Sequence, residues 1–237
     1  MKTLMKQSSI VAAALIACGL LAIGLCIRSG LRAIPDSQRT VDVRGLATRE
    51  VKANRVTWPI VFKQVGNDLP TVYAAVSKTN ADIVAYLKAN GLTDKEISVG
   101  APSMTDLTTD RYNTQPIPFN YSVQSVVTVS SSQVDKVHDL INRQGELMEH
   151  GIAIASDYSY QTTYDYTELN SIKPAMIAEA TQNAREAASK FAEDSKSKLG
   201  KIKSAYQGQF SIEDRDQYTP YIKEVRVVTT LTYFLED

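Results

Sequence analysis

The sequence predicts an α+β fold: two βαββ units forming antiparallel sheet packed by long helices, preceded by one N-terminal transmembrane helix. Three observations carry this. An uncharged run of 21 residues, Gln7–Ile27, lies near the start of the chain. Two long segments, Leu69–Asn90 and Glu168–Leu199, repeat apolar residues at helical spacing. Between and around them lie short runs rich in Val, Thr and Tyr that alternate with the period of two expected of half-buried strands.

The N-terminal run, QSSIVAAALIACGLLAIGLCI, would span about 31 Å as a helix at ~1.5 Å per residue, enough for a bilayer core. The expected layout is a cytoplasmic N-terminus at residues 1–6, an anchor or uncleaved signal at 7–27, a linker at 28–39 and one domain over 40–237. A cleaved signal is the less favoured reading, because no small-x-small cleavage pattern follows Ile27. Leu15-Ile16-Ala17-Cys18 has the shape of a lipobox, but the chain stays apolar after Cys18 where a mature lipoprotein turns polar. Lys2 and Lys6 on one side face Arg28 and Arg32 on the other, so charge alone does not orient the span.

In the remainder, Thr40–Val51 reads as a strand bent at Gly45, and Ala53–Val65 as its hairpin partner, with Pro59 marking an edge or bulge. Leu69–Asn90 is a helix with Val72, Val76, Ile83 and Leu87 inward, capped by Asn67 or Asp68 and ended at Gly91. Glu96–Met104 returns as a strand, Thr105–Pro118 as a loop, and Phe119–Ser130 as a strand. A short helix over Ser132–Arg143 follows. A second round then runs from a strand at Gly151–Tyr166 into the Glu168–Leu199 helix, whose true start Pro174 marks, and on to strands at Ile202–Phe210 and Tyr221–Leu235. Both long helices would end at a glycine, in Asn90-Gly91-Leu92 and Leu199-Gly200-Lys201. The two halves are expected to share one sheet.

Composition narrows function. The chain holds 26 basic and 26 acidic residues. Residues 1–32 carry four of the bases and none of the acids, leaving 22 against 26 and a net charge of −4 in the remainder. A mildly acidic domain argues against a nucleic-acid binder. Both cysteines, Cys18 and Cys26, sit in the apolar run, so a disulfide framework or Cys-rich zinc site is excluded from the domain. No nucleophile-elbow, zincin, P-loop or dinucleotide fingerprint occurs. No catalytic, cofactor-binding or metal-ligating residue is assigned.

Val43-Arg44-Gly45-Leu46-Ala47, the Tyr86–Leu92 helix ending with Ile97-Ser98-Val99, and Phe119-Asn120-Tyr121 with Val127-Thr128-Val129 together resemble the SIMPL-domain family, as does the Ala-rich helix ending in Lys198-Leu199-Gly200-Lys201-Ile202. The resemblance covers roughly residues 40–235. It implies an extracytoplasmic βαββ domain without known catalysis, a link to oxidative or envelope stress, and ring- or channel-like homo-oligomers in a relative.

Several individual residues have plain structural readings. His138 beside Asp139 is read as a helix-surface histidine, since no nucleophile accompanies it, and His150 as a loop residue. Glu213-Asp214-Arg215-Asp216 is read as a solvated turn, because it lacks a calcium-loop pattern. Lys196, Lys198, Lys201 and Lys203 are read as a basic helix end, with an anionic surface as the other reading. The run YSYQTTYDY is the most informative. On a strand, Tyr158, Tyr160, Tyr164 and Tyr166 share one face. They would pack beneath a helix or form a subunit interface, where tyrosine is enriched.

The expected function is a non-enzymatic protein of the bacterial inner membrane, single-pass through residues 7–27, with its domain in the periplasm and a homo-oligomeric ring- or cage-like assembly. The alternative is a periplasmic binding module for a peptide, lipid or envelope component. Membrane and further copies of the chain are the expected partners, with no nucleic acid and no cofactor.

Overall fold

The computed structural model describes residues 17–29, 39–109, 118–155 and 157–236. Among them, no helix is long and apolar enough to cross a membrane. Helix α1 covers 17–29, about 20 Å at ~1.5 Å per residue. It exposes Leu20, Leu21, Ile23, Leu25 and Ile27. The rest of the expected anchor, residues 7–16, and most of the linker lie outside the described residues, as do residues 110–117 of the expected loop.

The remaining elements are β1 (Thr40–Lys52), β2 (Arg55–Gly66), α2 (Leu69–Ala89), β3 (Ile97–Val99), β4 (Ser103–Asp106), β5 (Tyr121–Ser131), α3 (Val134–Asn142), α4 (Gly145–Glu149), β6 (Thr163–Asp165), α5 (Leu169–Asp194), β7 (Lys198–Gln207), β8 (Ser211–Asp214) and β9 (Ile222–Glu236). They fall into two compact units. The larger takes Glu50–Ser171 and Ile212–Val225, and the smaller takes the segments up to Arg49, Ile172–Ser211 and from Arg226 on.

The larger unit is built on the five-stranded sheet β3-β5-β2-β6, with β4 also paired to β5. Its helix α2 forms as the sequence requires. Asp68 caps it by accepting the Thr71 backbone N–H at 3.1 Å, Pro70 stands in the first turn, and Gly91 takes φ +85° just beyond the last turn. Leu92 N–H then reaches back to the Leu87 carbonyl at 3.1 Å, closing the helix. Val72, Val76, Ile83 and Leu87 are buried along one stripe. They meet the even-numbered face of β2, where Val56, Trp58, Ile60 and Phe62 are buried, together with Val123, Val127 and Val129 of β5.

The smaller unit repeats this topology on another sheet. Its order, β1-β9-β7, with β8 paired to β9, makes β1-α5-β7-β9 the counterpart of β2-α2-β3-β5. In both, the third strand of the motif lies between the first and the second. In both, the second strand breaks at a glycine: Gly100 and Gly208 donate their N–H groups at 2.9 Å to Val126 and Val228 respectively. The expected Glu96–Met104 strand is therefore two strands, β3 and β4. Their registers against β5 differ by one residue, since Val99 pairs with Val127 but Ser103 with Gln124.

Two expectations about the second unit are corrected. The halves form two sheets rather than sharing one, and the strand that opens the second motif is β1, not Gly151–Tyr166. Helix α5 also starts and stops earlier than expected. Pro174 lies inside it rather than at its start, past the first turn, where its missing N–H removes one ladder bond. At the other end, Lys196 supplies the left-handed residue with φ 58°, and Ser197 N–H returns to the Ala192 carbonyl at 2.9 Å. Gly200 lies within β7.

The stripe α5 buries is small: Met176, Ala180, Ala184, Ala188 and Ala192. Phe191 lies off this stripe and is 54% exposed. Alanines let the helix lie close on Val41, Leu231, Tyr233 and Leu235 of the sheet. The approach is closest at Gly45 of β1, where a Cβ would stand 1.9 Å from the Ala180 carbonyl oxygen and 2.4 Å from the Ala184 nitrogen. The bend read at Gly45 is thus a contact requirement instead: only hydrogen fits there.

Candidate functional site

Segment 151–166 is where function was expected, and its chemistry is that of a turn rather than a strand. Gly151, at φ +80°, closes α4, with Ile152 N–H bonded to the Leu147 carbonyl at 3.0 Å. Ile154 bridges Phe62, and Ala155 N–H reaches the Val61 carbonyl at 2.7 Å. Asp157 then folds the chain. Its Oδ1 accepts the Ser159 N–H at 2.9 Å and its carbonyl accepts the Tyr160 N–H at 3.0 Å. The Ser159 N–H holds the Asp157 carboxyl below its ordinary range. Such local hydrogen bonding by aspartate competes with strand pairing, and beyond the Ile154 bridge the segment forms one short strand, Thr163–Asp165, as β6 on β2.

The four tyrosines consequently part company. Tyr158 is 95% exposed on the turn and Tyr160 is exposed beside it. Tyr164, in β6, is buried. Tyr166 is half-buried, with its hydroxyl 3.4 Å from Ser171 Oγ.

Tyr164 packs into an aromatic cluster with His138 of α3 and Tyr221. Its hydroxyl lies 3.0 Å from His138 Nδ1, and the His138 and Tyr221 ring centroids are 4.7 Å apart. Burial, reinforced by Tyr221, pushes the Tyr164 phenol up, so it stays protonated at neutral pH. His138 is therefore a half-buried partner of the tyrosines, not the surface residue expected. Its place four residues after Val134 and one after Val137, both buried, was the available sign. A similar pair ties α2 to α4, where Tyr86 donates to Glu146 Oε2 at 2.7 Å. Burial and that carboxylate raise the Tyr86 phenol to about 12. Both phenols stay neutral, and Tyr86 is a fixed donor to Glu146.

Next to the Asp157 turn lies a cleft of about 360 Å³. Trp58 and Pro59 of β2, Met148 of α4, and Tyr158 and Tyr160 of the turn supply apolar and aromatic walls, while Gln144, Asp157 and Gln161 supply polar atoms. Sequence reasoning placed Trp58 on a strand but missed the cleft. The walls come from segments about 100 residues apart, so no local pattern marks them.

The other candidates resolve into structure. Glu96 joins the α2–β3 loop to the end of β5: its carboxylate accepts from Ser131 Oγ, from Thr93 N–H at 2.9 Å and from Gln133 Nε2 at 3.1 Å. These bonds, led by Ser131, hold it down at about 2. Of residues 213–216, read from the sequence as a turn, Glu213 and Asp214 end strand β8, and only Arg215 and Asp216 lie beyond it. Asp214 pairs with Lys223, and Asp216 accepts from Arg215, Thr219 and the Tyr218 N–H, which holds its carboxyl well below the usual range. Of the four lysines, only Lys196 follows the helix end, whereas Lys198, Lys201 and Lys203 lie on β7. Lys203 stands over the Phe234 ring, 5.6 Å from its centroid. His150 ends α4. Among the described residues, no group of three or more His, Cys, Asp or Glu is placed to hold a metal.

Comparison with known proteins adds one match. The family model SIMPL, described as a protein of unknown function (DUF541), matches residues 41–231. No curated protein matches the chain.

Proposed function

Taking as premise that the chain belongs to the SIMPL family, DUF541, we propose that it is a non-enzymatic, membrane-anchored protein of the bacterial cell envelope whose domain assembles into a homo-oligomer. The observation that carries this reading is the outer strand of the smaller unit's sheet. Among the described residues β7 pairs with β9 alone, and every residue from Lys201 to Gln207 is exposed, including Ile202 and Tyr206 at 52% and 68%. Apolar and aromatic side chains on an uncovered strand favour burial against another surface. Tyr158, displayed on the Asp157 turn, offers a second anchor of the kind enriched in interfaces.

The membrane part of the proposal rests on the uncharged run 7–27, flanked by Lys2, Lys6, Arg28 and Arg32. It has the chain span the inner membrane once and hold its acidic domain in the periplasm. The resemblance extends the reading to ring- or cage-like assemblies with a role in envelope or oxidative stress.

Two measurements test it. The full-length chain should remain in membranes after alkaline extraction, whereas a chain lacking residues 1–32 should be released. Sedimentation in detergent should give a discrete species of several copies, retained in the shortened chain. A monomer in both forms would refute assembly, and release of the full-length chain at alkaline pH would refute the anchor.

The cleft beside Trp58 favours a second reading, a periplasmic binding module for a peptide, lipid or envelope component. Trp58 is the only tryptophan of the chain. A ligand occupying the cleft is expected to shift or quench its emission on titration with envelope extract. An unchanged spectrum across fractions containing peptides, lipids and cell-wall fragments would count against this reading.

A further inference from the structure

The larger unit has a second surface, separate from the Trp58 cleft and independent of whether the protein assembles. Strand β4 pairs with β5 and, among the described residues, with nothing on its other side. The ladder fixes which of its backbone groups face outward. Leu107 N–H bonds to the Asn120 carbonyl at 2.8 Å, and the register continues as Asp106↔Tyr121, Thr105↔Ser122, Met104↔Val123 and Ser103↔Gln124. Antiparallel pairs alternate between bonded and non-bonded, so Thr105 and Ser103 spend their groups on β5. Met104 and Asp106 direct theirs away from it. The Asp106 carbonyl already accepts the Thr109 hydroxyl at 2.8 Å. The Met104 N–H and carbonyl are thus the outward pair at the centre of the edge, and Pro102, lacking an N–H, bounds it.

Beside this edge lies an apolar groove of about 420 Å³, lined by Leu69, Pro70 and Tyr73 of α2 with Pro102, Met104 and Val123. Met104 and Tyr73 are each about half exposed, at 51% and 55%. Met104 sits opposite Val123, and cross-strand neighbours project to the same face. Any residue that pairs with Met104 on the open side therefore also projects its side chain toward the groove. The edge thus specifies an extended backbone, and the groove specifies an apolar side chain on it.

Charge specifies the rest. The segments that frame the groove, 66–73, 102–109 and 118–123, contain two carboxylates, Asp68 and Asp106, and no Lys, Arg or His. Thr71 and Thr108 donate hydrogen bonds that hold these carboxyls below their ordinary range, so both are ionised at neutral pH. Asp106 lies two residues past Met104, on the same face. In an antiparallel partner, the residue opposite Asp106 comes two positions before the residue opposite Met104.

We infer that this groove is a docking site for an extended peptide, which adds a strand to β4 and sets an apolar residue opposite Met104 and a cationic one two positions earlier.

The probe is a fluorescent hexapeptide, Thr-Lys-Thr-Leu-Thr-Thr, blocked at both ends and titrated against the full-length chain in lipid nanodiscs. Saturable binding with Kd below about 1 mM is expected. Replacing the peptide's lysine by glutamate should weaken it severalfold. Met104→Pro removes the outward N–H without breaking a bond to β5, and should weaken binding at least about fivefold at an unchanged Tm. Tyr73→Glu, on the exposed helix face, serves as a second variant and should also weaken binding. Absence of saturation, or equal affinity for the glutamate peptide, would overturn the proposal. So would equal binding by both variants. A smaller assembly on Met104→Pro, with no peptide bound by the parent chain, would make the edge a contact between copies and equally overturn it.

Discussion

Gly45→Ala is expected to destabilise the smaller unit by about 3 kcal/mol or more, at the upper end of what overpacking costs. The reason is which atoms the new methyl meets. At 1.9 Å from the Ala180 carbonyl oxygen and 2.4 Å from the Ala184 nitrogen, it collides with helix backbone, not with the far end of a side chain that can rotate away. Relief requires moving α5 off β1. That movement opens the contacts of Ala184, Ala188 and Ala192 with Val41, Leu231 and Tyr233, all buried now. It would also stretch the bond by which Asn183 Nδ2 donates to the Leu46 carbonyl at 2.8 Å. Amide hydrogen exchange localises the effect. Protection should fall in residues 41–47 and 226–235 and persist in 56–62 and 123–129. Wild-type exchange throughout would show that the helix can withdraw at little cost.

This contact also shows what was legible in the sequence. Helix α2 was readable almost to the residue, because Asp68, Pro70 and Gly91 each do a local job within a few residues of the element they bound. Strand alternation was equally local, so β2, β5 and β9 emerged with small errors at their ends. The pairing of β1 with the α5 motif was not legible. It depends on a contact between Gly45 and Ala180, more than 130 residues apart, and glycine in a strand reads locally as a bend. At the other end of α5, Lys196 adopts the left-handed conformation that the sequence suggested for Gly200, and nothing in lysine's chemistry advertises that.

The tyrosine run failed for a different reason. Its alternation was real, but Asp157 and Ser159 supply turn hydrogen bonds, and these compete with the ladder over residues 157–160. Only Tyr164 kept the buried position that alternation promised. The candidate cleft was beyond sequence reasoning altogether, since Trp58, Met148 and Tyr158 are brought together by the pairing of β6 with β2 and by the α4 closure. The family, by contrast, was legible from motifs alone, and the matched range of 41–231 agrees closely with the extent of the resemblance.

The larger unit should respond to substitution in the opposite sense, because its core is filled by large side chains where the smaller unit's helix offers alanines. Phe62→Ala is expected to cost about 3–5 kcal/mol, the range for emptying a buried aromatic site. Phe62 is 1% exposed, on the face of β2 that also carries Val56, Trp58 and Ile60. Collapse into the space is hindered on both sides. β5 pairs with β2 continuously from Val56 to Gly66, so neither strand can shift without breaking the ladder. Directly opposite Phe62 lies Ser125, fully buried, with its hydroxyl donating to Asn80 Oδ1 at 3.1 Å. Any inward movement of that pair would loosen a partly buried hydrogen bond as well as leave a void. Phe62→Leu, which keeps most of the volume, should cost under about 1.5 kcal/mol. Urea denaturation of the two variants separates the contributions: a large drop in midpoint for alanine and a small one for leucine identify volume as the cause. Equal losses would instead assign the stability to the aromatic ring itself, and a loss below about 1 kcal/mol for alanine would mean that the core around Ile83 and Leu87 can close over the gap.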